Sequence, residues 1–82
     1  MNEIDEVRSL LEYMVRGFVD QPEEVKVIAE LQEDGMLFRL ATAAPDIEKL
    51  NGKHNYTARS MRIILSAIGA KVNRKLSLAI GE

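Results

Sequence analysis

Along residues 3–18, apolar side chains recur at Ile4, Val7, Leu11, Met14, Val15 and Phe18. That 3.6-residue spacing predicts an amphipathic helix. Asn2 can cap it, and Asp5 and Glu6 complement the positive end of its dipole. Gly17 lies near its end, and Asp20-Gln21-Pro22 stops it. The period then falls to two. Over residues 24–32, Val25, Val27, Ala29 and Leu31 share one face and Lys26, Glu30 and Gln32 the other, with Ile28 breaking the alternation. This predicts a half-buried strand. Glu33-Asp34-Gly35 predicts a hairpin turn, with Gly35 supplying the positive φ that tight turns need. A second strand follows over 36–43, and Pro45 ends it.

Asp46 is placed to cap a short helix over 47–50. A longer helix is predicted over 56–72, with Ala58, Met61, Ile64, Leu65, Ile68 and Val72 on one face and Arg59 and Arg62 projecting together from another. Gly69 within it costs about 1 kcal/mol relative to Ala, which points to close packing there. Asn73 marks the end. Leu76, Leu78 and Ile80 then alternate with Ser77 and Ala79 in a third strand, 75–80. The order is α-β-β-α-α-β. The first two strands form an antiparallel hairpin, and the last two, separated by a helical pair, are parallel through a right-handed crossover. An α+β fold results: a three-stranded mixed sheet covered on one face by three helices. Met61, Ile64, Leu65 and Ile68 are expected to pack on Phe38, Leu40 and Leu78.

The 82 residues suffice for one small domain, residues 1–82. Hydrophobic residues make up 46 %, but there are only four aromatics and no tryptophan, so the core is aliphatic. The absence of cysteine excludes a disulfide framework, a thiolate zinc site and a thiol nucleophile. No apolar run approaches the roughly 20 residues that span a bilayer. The segment Met1-Asn2-Glu3-Ile4-Asp5-Glu6 is acidic and unlike a secretory signal, so a cytoplasmic location is expected. Asn55-Tyr56-Thr57 matches a glycosylation sequon, which without secretion is accidental.

Net charge is −2, which alone argues against a nucleic-acid partner. Its distribution argues otherwise. Residues 1–45 hold four basic and ten acidic residues, a balance of −6, and residues 46–82 hold seven basic and three acidic, a balance of +4. Such asymmetry suggests a face for an anionic partner, set against ordinary surface scatter.

The basic half contains Leu50-Asn51-Gly52-Lys53-His54-Asn55-Tyr56-Thr57-Ala58-Arg59. A glycine and a lysine stand before a helix start, where backbone N–H groups and the helix dipole together favour an anion. Residues 46–59 resemble the heart of a KH domain, in which an Ile-Gly-x-x-Gly loop joins two helices. The chain is similar, over nearly its whole length, to the small single-KH RNA-binding proteins of bacteria, the KhpA/YlqC family. Members open with a helix like Leu11-Glu12-Tyr13-Met14-Val15, continue with a segment like Val19-Asp20-Gln21-Pro22-Glu23-Glu24-Val25, carry Gly-Lys-x-Gly-x-Thr-Ala-Arg at the loop, and end on a strand like Leu76-Ser77-Leu78-Ala79-Ile80. The match is specific at Gly52, Lys53, Thr57, Ala58 and Arg59. The element order read above is that of the type II KH fold.

The resemblance implies single-stranded RNA as partner, bound with low sequence specificity in a groove made by the loop, the helix after it and the neighbouring sheet edge. A post-transcriptional or RNA-chaperone role follows from it. The residues it points to are Lys49, Gly52, Lys53, His54, Asn55, Arg59 and Arg62, with Lys53 on phosphate and His54 on a base or phosphate. It also implies a homodimer, or a heterodimer with a larger multidomain KH protein.

Two positions depart from the pattern. Asn51 stands where the family has an apolar residue, and Asn55 where it has the second loop glycine. Glycine lets the nucleic-acid backbone approach because it lacks Cβ and accepts positive φ. Asn also enters the left-handed region and keeps its N–H donor, but its side chain can obstruct the phosphate or cap the following helix. An alternative therefore stands beside RNA binding: a protein-interaction module whose loop has lost RNA. Lys53 and His54 also fit as solvated loop residues, Arg59 and Arg62 as an ordinary exposed helix face, and Tyr56 as packed over the loop or stacked on a base.

Catalysis is not expected. One histidine and no cysteine give neither a triad nor a metal cluster, so neither metal nor cofactor is implied. Glu23-Glu24 and Glu33-Asp34 fall on predicted turns, where solvation explains them. Gly52-Lys53 lacks the upstream glycine of a nucleotide-binding P-loop. Met14 and Met61 are core candidates.

Overall fold

A computed structural model describes residues 2–51 and 56–81. The elements run α1 (Glu3–Arg16), a 3₁₀ turn (Pro22–Glu24), β1 (Lys26–Gln32), β2 (Gly35–Ala41), α2 (Ala44–Asn51), α3 (Thr57–Val72) and β3 (Lys75–Ile80). The α-β-β-α-α-β order is the one the periodicity predicts.

Helix α1 starts as its sequence requires. Asn2 Oδ1 accepts from the Asp5 N–H at 2.8 Å, and Glu3, Asp5 and Glu6 occupy the first turn. Val7, Leu11 and Val15 form its buried stripe. The helix ends at Arg16, not 18. Gly17 N donates to Tyr13 O at 3.2 Å, and Phe18 N donates to Val15 O at 2.9 Å. This tightened turn carries Phe18 off the stripe and leaves it 37 % exposed. Pro22 opens the 3₁₀ turn, which delays β1 to Lys26, although Val25 is buried as expected.

The sheet order is β1-β2-β3. β1 and β2 pair antiparallel, with Val27 opposite Leu40, Ala29 opposite Phe38 and Leu31 opposite Met36. β2 and β3 pair parallel, with Met36, Phe38 and Leu40 opposite Leu76, Leu78 and Ile80. These rows make the inner face. Val7, Leu11 and Val15 of α1, Leu50 of α2, and Met61 and Leu65 of α3 join it in one apolar cluster, with Ile68 partly buried against it. Ile64 is likewise half-buried, at the border of the stripe. Leu31 departs from its expected burial. Its register puts it on the inner face, yet it lies near the hairpin end of an edge strand and is 80 % exposed. Ile28 sits on the outer face beside Arg39. β2 stops at Ala41, two residues short of the predicted end.

Two glycines prove to be packing residues. Positive φ among described residues occurs at Asn73 and Gly81 alone, so Gly35 is not there to reach a left-handed conformation. It is there because a Cβ would run into the Lys75 carbonyl of β3. Gly69 is buried, and a Cβ on it would collide with the Arg74 carbonyl. Asn73 adopts φ 59°, ψ 45°, and Arg74 N donates back to Gly69 O at 2.9 Å. The close packing expected at Gly69 is thus the reversal of the chain into β3.

Asp46 is not the cap of a 47–50 helix. α2 begins at Ala44 and includes Pro45 and Asp46 in its first turn. The Asp46 side chain is 1 % exposed and accepts from the N–H groups of Asp20 (3.2 Å) and Gln21 (3.1 Å). It ties the start of α2 to the chain leaving α1.

Candidate functional site

The predicted site centres on the junction of α2 and α3. Leu50 anchors the end of α2 with no exposed surface, and Ala58 and Met61 anchor the start of α3 at 6 % and 0 %. The two helix ends that flank residues 52–55 are therefore both anchored in the core. Gly52, Lys53, His54 and Asn55 lie outside the described residues, as does the capping role considered for Asn55.

Helix α3 begins with Tyr56 at its cap position (φ −102°, ψ 7°), and the Tyr56 side chain makes no cap hydrogen bond. Its first turn has no acidic residue, whereas α1 carries three. The N-terminal end of α3 is accordingly positive: the helix dipole there is reinforced by Arg59 rather than offset. The Arg59 guanidinium lies 5.4 Å from the centroid of the Tyr56 ring, within cation–π range. Arg62 projects from α3 toward β3, its Nη2 3.5 Å from the Leu78 carbonyl oxygen. β3 is an outer strand of the sheet, so this contact brings the basic face of α3 to the free strand edge. Arg59 and Arg62 thus reach different neighbours, the Tyr56 ring and the Leu78 carbonyl of β3. Lys49 turns elsewhere. Its Nζ pairs with Asp20 Oδ1 at 3.1 Å and stands 5.4 Å over the Phe18 ring.

Several polar and aromatic placements were not anticipated from the sequence. Glu12, 12 % exposed at its side chain, pairs with Arg8 and Arg16 and accepts from the Val27 N–H at 3.0 Å, locking α1 to β1. Tyr13, Phe18 and Tyr56, three of the four aromatics, are exposed by 79 %, 37 % and 60 %. They line one groove between the end of α1 and the start of α3, with Met14 partly buried beneath. A signal existed for Tyr13, which falls off the 4-7-11-14-15-18 stripe. Glu23, Glu24, Glu33 and Asp34 are exposed on turns, consistent with solvation. Among the described residues, no group of three or more His, Asp or Glu could hold a metal ion, and no helix is long and apolar enough to cross a membrane.

The sequence matches the family model "KhpA/KhpB, KH domain" over residues 8–80, from within α1 to the last residue of β3. The chain belongs to the KhpA/KhpB KH-domain family. Similar proteins include the RNA-binding protein KhpA of Chlamydia pneumoniae, 32 % identical over 93 % of this chain and 97 % of that one. The RNA-binding protein KhpA of Borreliella burgdorferi is 34 % identical over 96 % and 92 %, and that of Clostridium perfringens 30 % over 90 % and 99 %. No solved structure gives a significant match. Family membership and the α-β-β-α-α-β architecture agree.

Proposed function

We propose that this chain is a single type II KH domain, residues 1–82, that binds single-stranded RNA with low sequence specificity and performs no catalysis. The strand lies along a groove bounded by the 52–55 loop, the first half of α3 and the free edge of β3. Gly52 and Asn55 offer backbone N–H groups to phosphate, Lys53 neutralises one, and His54 meets a base or phosphate. Arg59 and Arg62 carry the positive face along the groove. Lys49 contributes at the other side of the loop by exchanging Asp20 for phosphate. The setting is cytoplasmic and the role post-transcriptional, of the RNA-chaperone kind. The observation that carries the reading is the family match over residues 8–80, whose relatives are named RNA-binding proteins. The positive start of α3 and the reach of Arg62 to β3 support the position of the groove.

The test is a fluorescence-anisotropy titration of single-stranded RNA at two salt concentrations. Single-stranded binding carries a slope of about −0.7 per phosphate neutralised, and a KH loop engages about four nucleotides. The salt dependence should therefore be modest. The double variant Lys53→Asp, His54→Asp should fold normally and lose affinity sharply, whereas Asn55→Gly should bind equally or more tightly by removing a Cβ beside the phosphate path. Undiminished binding by the double Asp variant would leave the loop without a role.

Pairing, as a homodimer or with a larger multidomain KH protein, is the second part of the reading. Ile63 of α3 and Ile28 on the outer sheet face, exposed by 63 % and 50 %, favour it. Multivalency would raise the affinity of a domain with few contacts. Equilibrium sedimentation tests it, and a strict monomer at high concentration argues against it.

A further inference from the structure

The groove between the end of α1 and the start of α3 has a volume of about 890 Å³, within the range of ligand-binding clefts. Both tyrosines of the chain stand on it. Aromatic surface is what a small domain most gains by burying, and exposed apolar patches of this kind mark contact sites. Two of the three rings have a cation close by. Lys49 Nζ is 5.4 Å from the Phe18 centroid and the Arg59 guanidinium 5.4 Å from that of Tyr56. Arg16 also lines the groove, with its guanidinium donating to the Val25 carbonyl oxygen at 3.2 Å. Asp20 pairs with Lys49, and the nearly buried Glu12 pairs with Arg16, whose side chain keeps 47 % of its surface.

The groove at the other end of the same helix pair is different. Glu3, Glu6, Val7, Leu10, Ile68, Lys71 and Val72 line it, so it is aliphatic with two carboxylates and one ammonium at its rim. The two grooves differ in what lines them, aromatic rings in the first and aliphatic side chains in the second. Rings interleaved with cations suit unpaired bases, whose flat faces stack on aromatics while the phosphates meet Arg and Lys. Gly17 on the floor agrees. Its φ of −73° is open to any residue, and a Cβ there would meet nothing closer than 3.6 Å. Neither conformation nor crowding requires glycine at this point, and its lack of a side chain leaves the groove open there.

We infer that the Tyr13–Phe18–Tyr56 groove is a second base-stacking subsite, which takes nucleotides flanking those held at the 52–55 loop. This rests on the RNA-binding reading above. The groove reaches the first turn of α3 at Tyr56, Thr57 and Ser60, which directly follows residues 52–55 in the chain.

The test uses a ten-nucleotide oligouridine and four full-length chains: wild type, Lys53→Asp with His54→Asp, Tyr13→Ala and Gly17→Leu. With two tyrosines and no tryptophan in the chain, intrinsic tyrosine fluorescence reports the groove directly. Oligouridine should quench it in wild type. Tyr13→Ala, at a position 79 % exposed, should leave the melting midpoint intact and weaken binding about 5- to 160-fold, the loss of one stacked base. Gly17→Leu should do the same by filling the groove. If the loop variant loses binding while Tyr13→Ala and Gly17→Leu match wild type and no quenching occurs, the RNA reading stands and the subsite is overturned. If wild type binds no oligouridine, both fall. If Tyr13→Ala instead alters the sedimentation of the protein and not its RNA affinity, the groove is a protein contact and the inference is wrong.

Discussion

The same substitution, glycine to alanine, should have opposite signs at positions 35 and 17. Alanine restricts the unfolded chain more than glycine does, which stabilises by about 0.4–1 kcal/mol wherever the native φ and ψ suit it. Both sites meet that condition, since neither glycine has positive φ. At Gly17 the added Cβ finds ordinary van der Waals neighbours, the carbonyl oxygens of Met14 and Tyr13 at 3.6 and 3.7 Å. Gly17→Ala should therefore gain the full entropic term, about half to one kcal/mol. At Gly35 the Cβ enters the space of the Lys75 carbonyl, and that neighbour is backbone held in parallel pairing with β2. It cannot rotate away as a side chain would, so the strands must part. Overpacking of this kind costs about 1–3 kcal/mol. A backbone neighbour puts the cost in the upper half of that range, about 2–3 kcal/mol, and subtracting the entropic gain leaves Gly35→Ala about 1–2.5 kcal/mol less stable. Urea denaturation followed by circular dichroism reads this directly. With a slope near 1 kcal/mol per molar for a chain this small, the midpoint should fall by about 1–2.5 M for Gly35→Ala and rise by about half to one molar for Gly17→Ala. A neutral or stabilised Gly35→Ala would refute the account of β2 and β3 crowding at that residue. A destabilised Gly17→Ala would show a conformational need for glycine at the end of α1.

Two further expectations concern the interior. Leu65, 1 % exposed in the centre of the α3 stripe, should lose about 2–5 kcal/mol on substitution by Ala, the usual range for a buried leucine; a loss under roughly half a kcal/mol in the same assay, the level of a surface change, would mean that the wrong face is buried. Asp46→Ala removes a carboxylate acceptor from two N–H groups, each hydrogen bond to a charged group contributing about 1.5–3 kcal/mol. Because Asp20 and Gln21 are exposed enough for water to replace part of this, the net loss should be about 2–3 kcal/mol, with Asp46→Asn intermediate; a stability equal to wild type would remove the buried tie between α1 and α2.

How much of this was legible along the chain depends on the distance over which each feature is decided. The stripes of α1 and α3 and the alternation of β2 and β3 are local patterns, so the elements, their order and most of the core could be read residue by residue. Gly35 could be recognised as a turn glycine but not explained, because the atom it avoids belongs to residue 75, forty positions away. Asp46 invited a capping role because cap residues are chosen by type and local position, while its partners at 20 and 21 are set by how α2 lies against the end of α1. Leu31 kept its inward register and lost its burial because cover depends on where the helices stop, which periodicity does not encode.

Phe18 shows that a small boundary shift can carry a functional consequence. Its spacing continues the stripe Leu11, Met14, Val15, so a helix two residues longer would have sent it into the core. Instead the chain tightens after Arg16, with Phe18 N on Val15 O. Phe18 turns out beside Lys49, into the groove where Tyr13 and Tyr56 already stand. One early helix end therefore converts a core residue into part of an aromatic, cation-rimmed surface. Tyr13 contributes to the same surface for the complementary reason: it never belonged to the stripe. An aromatic off the stripe, followed by a glycine and an aromatic just past the helix end, is the sequence trace of this groove. It becomes readable once the helix is known to stop at Arg16.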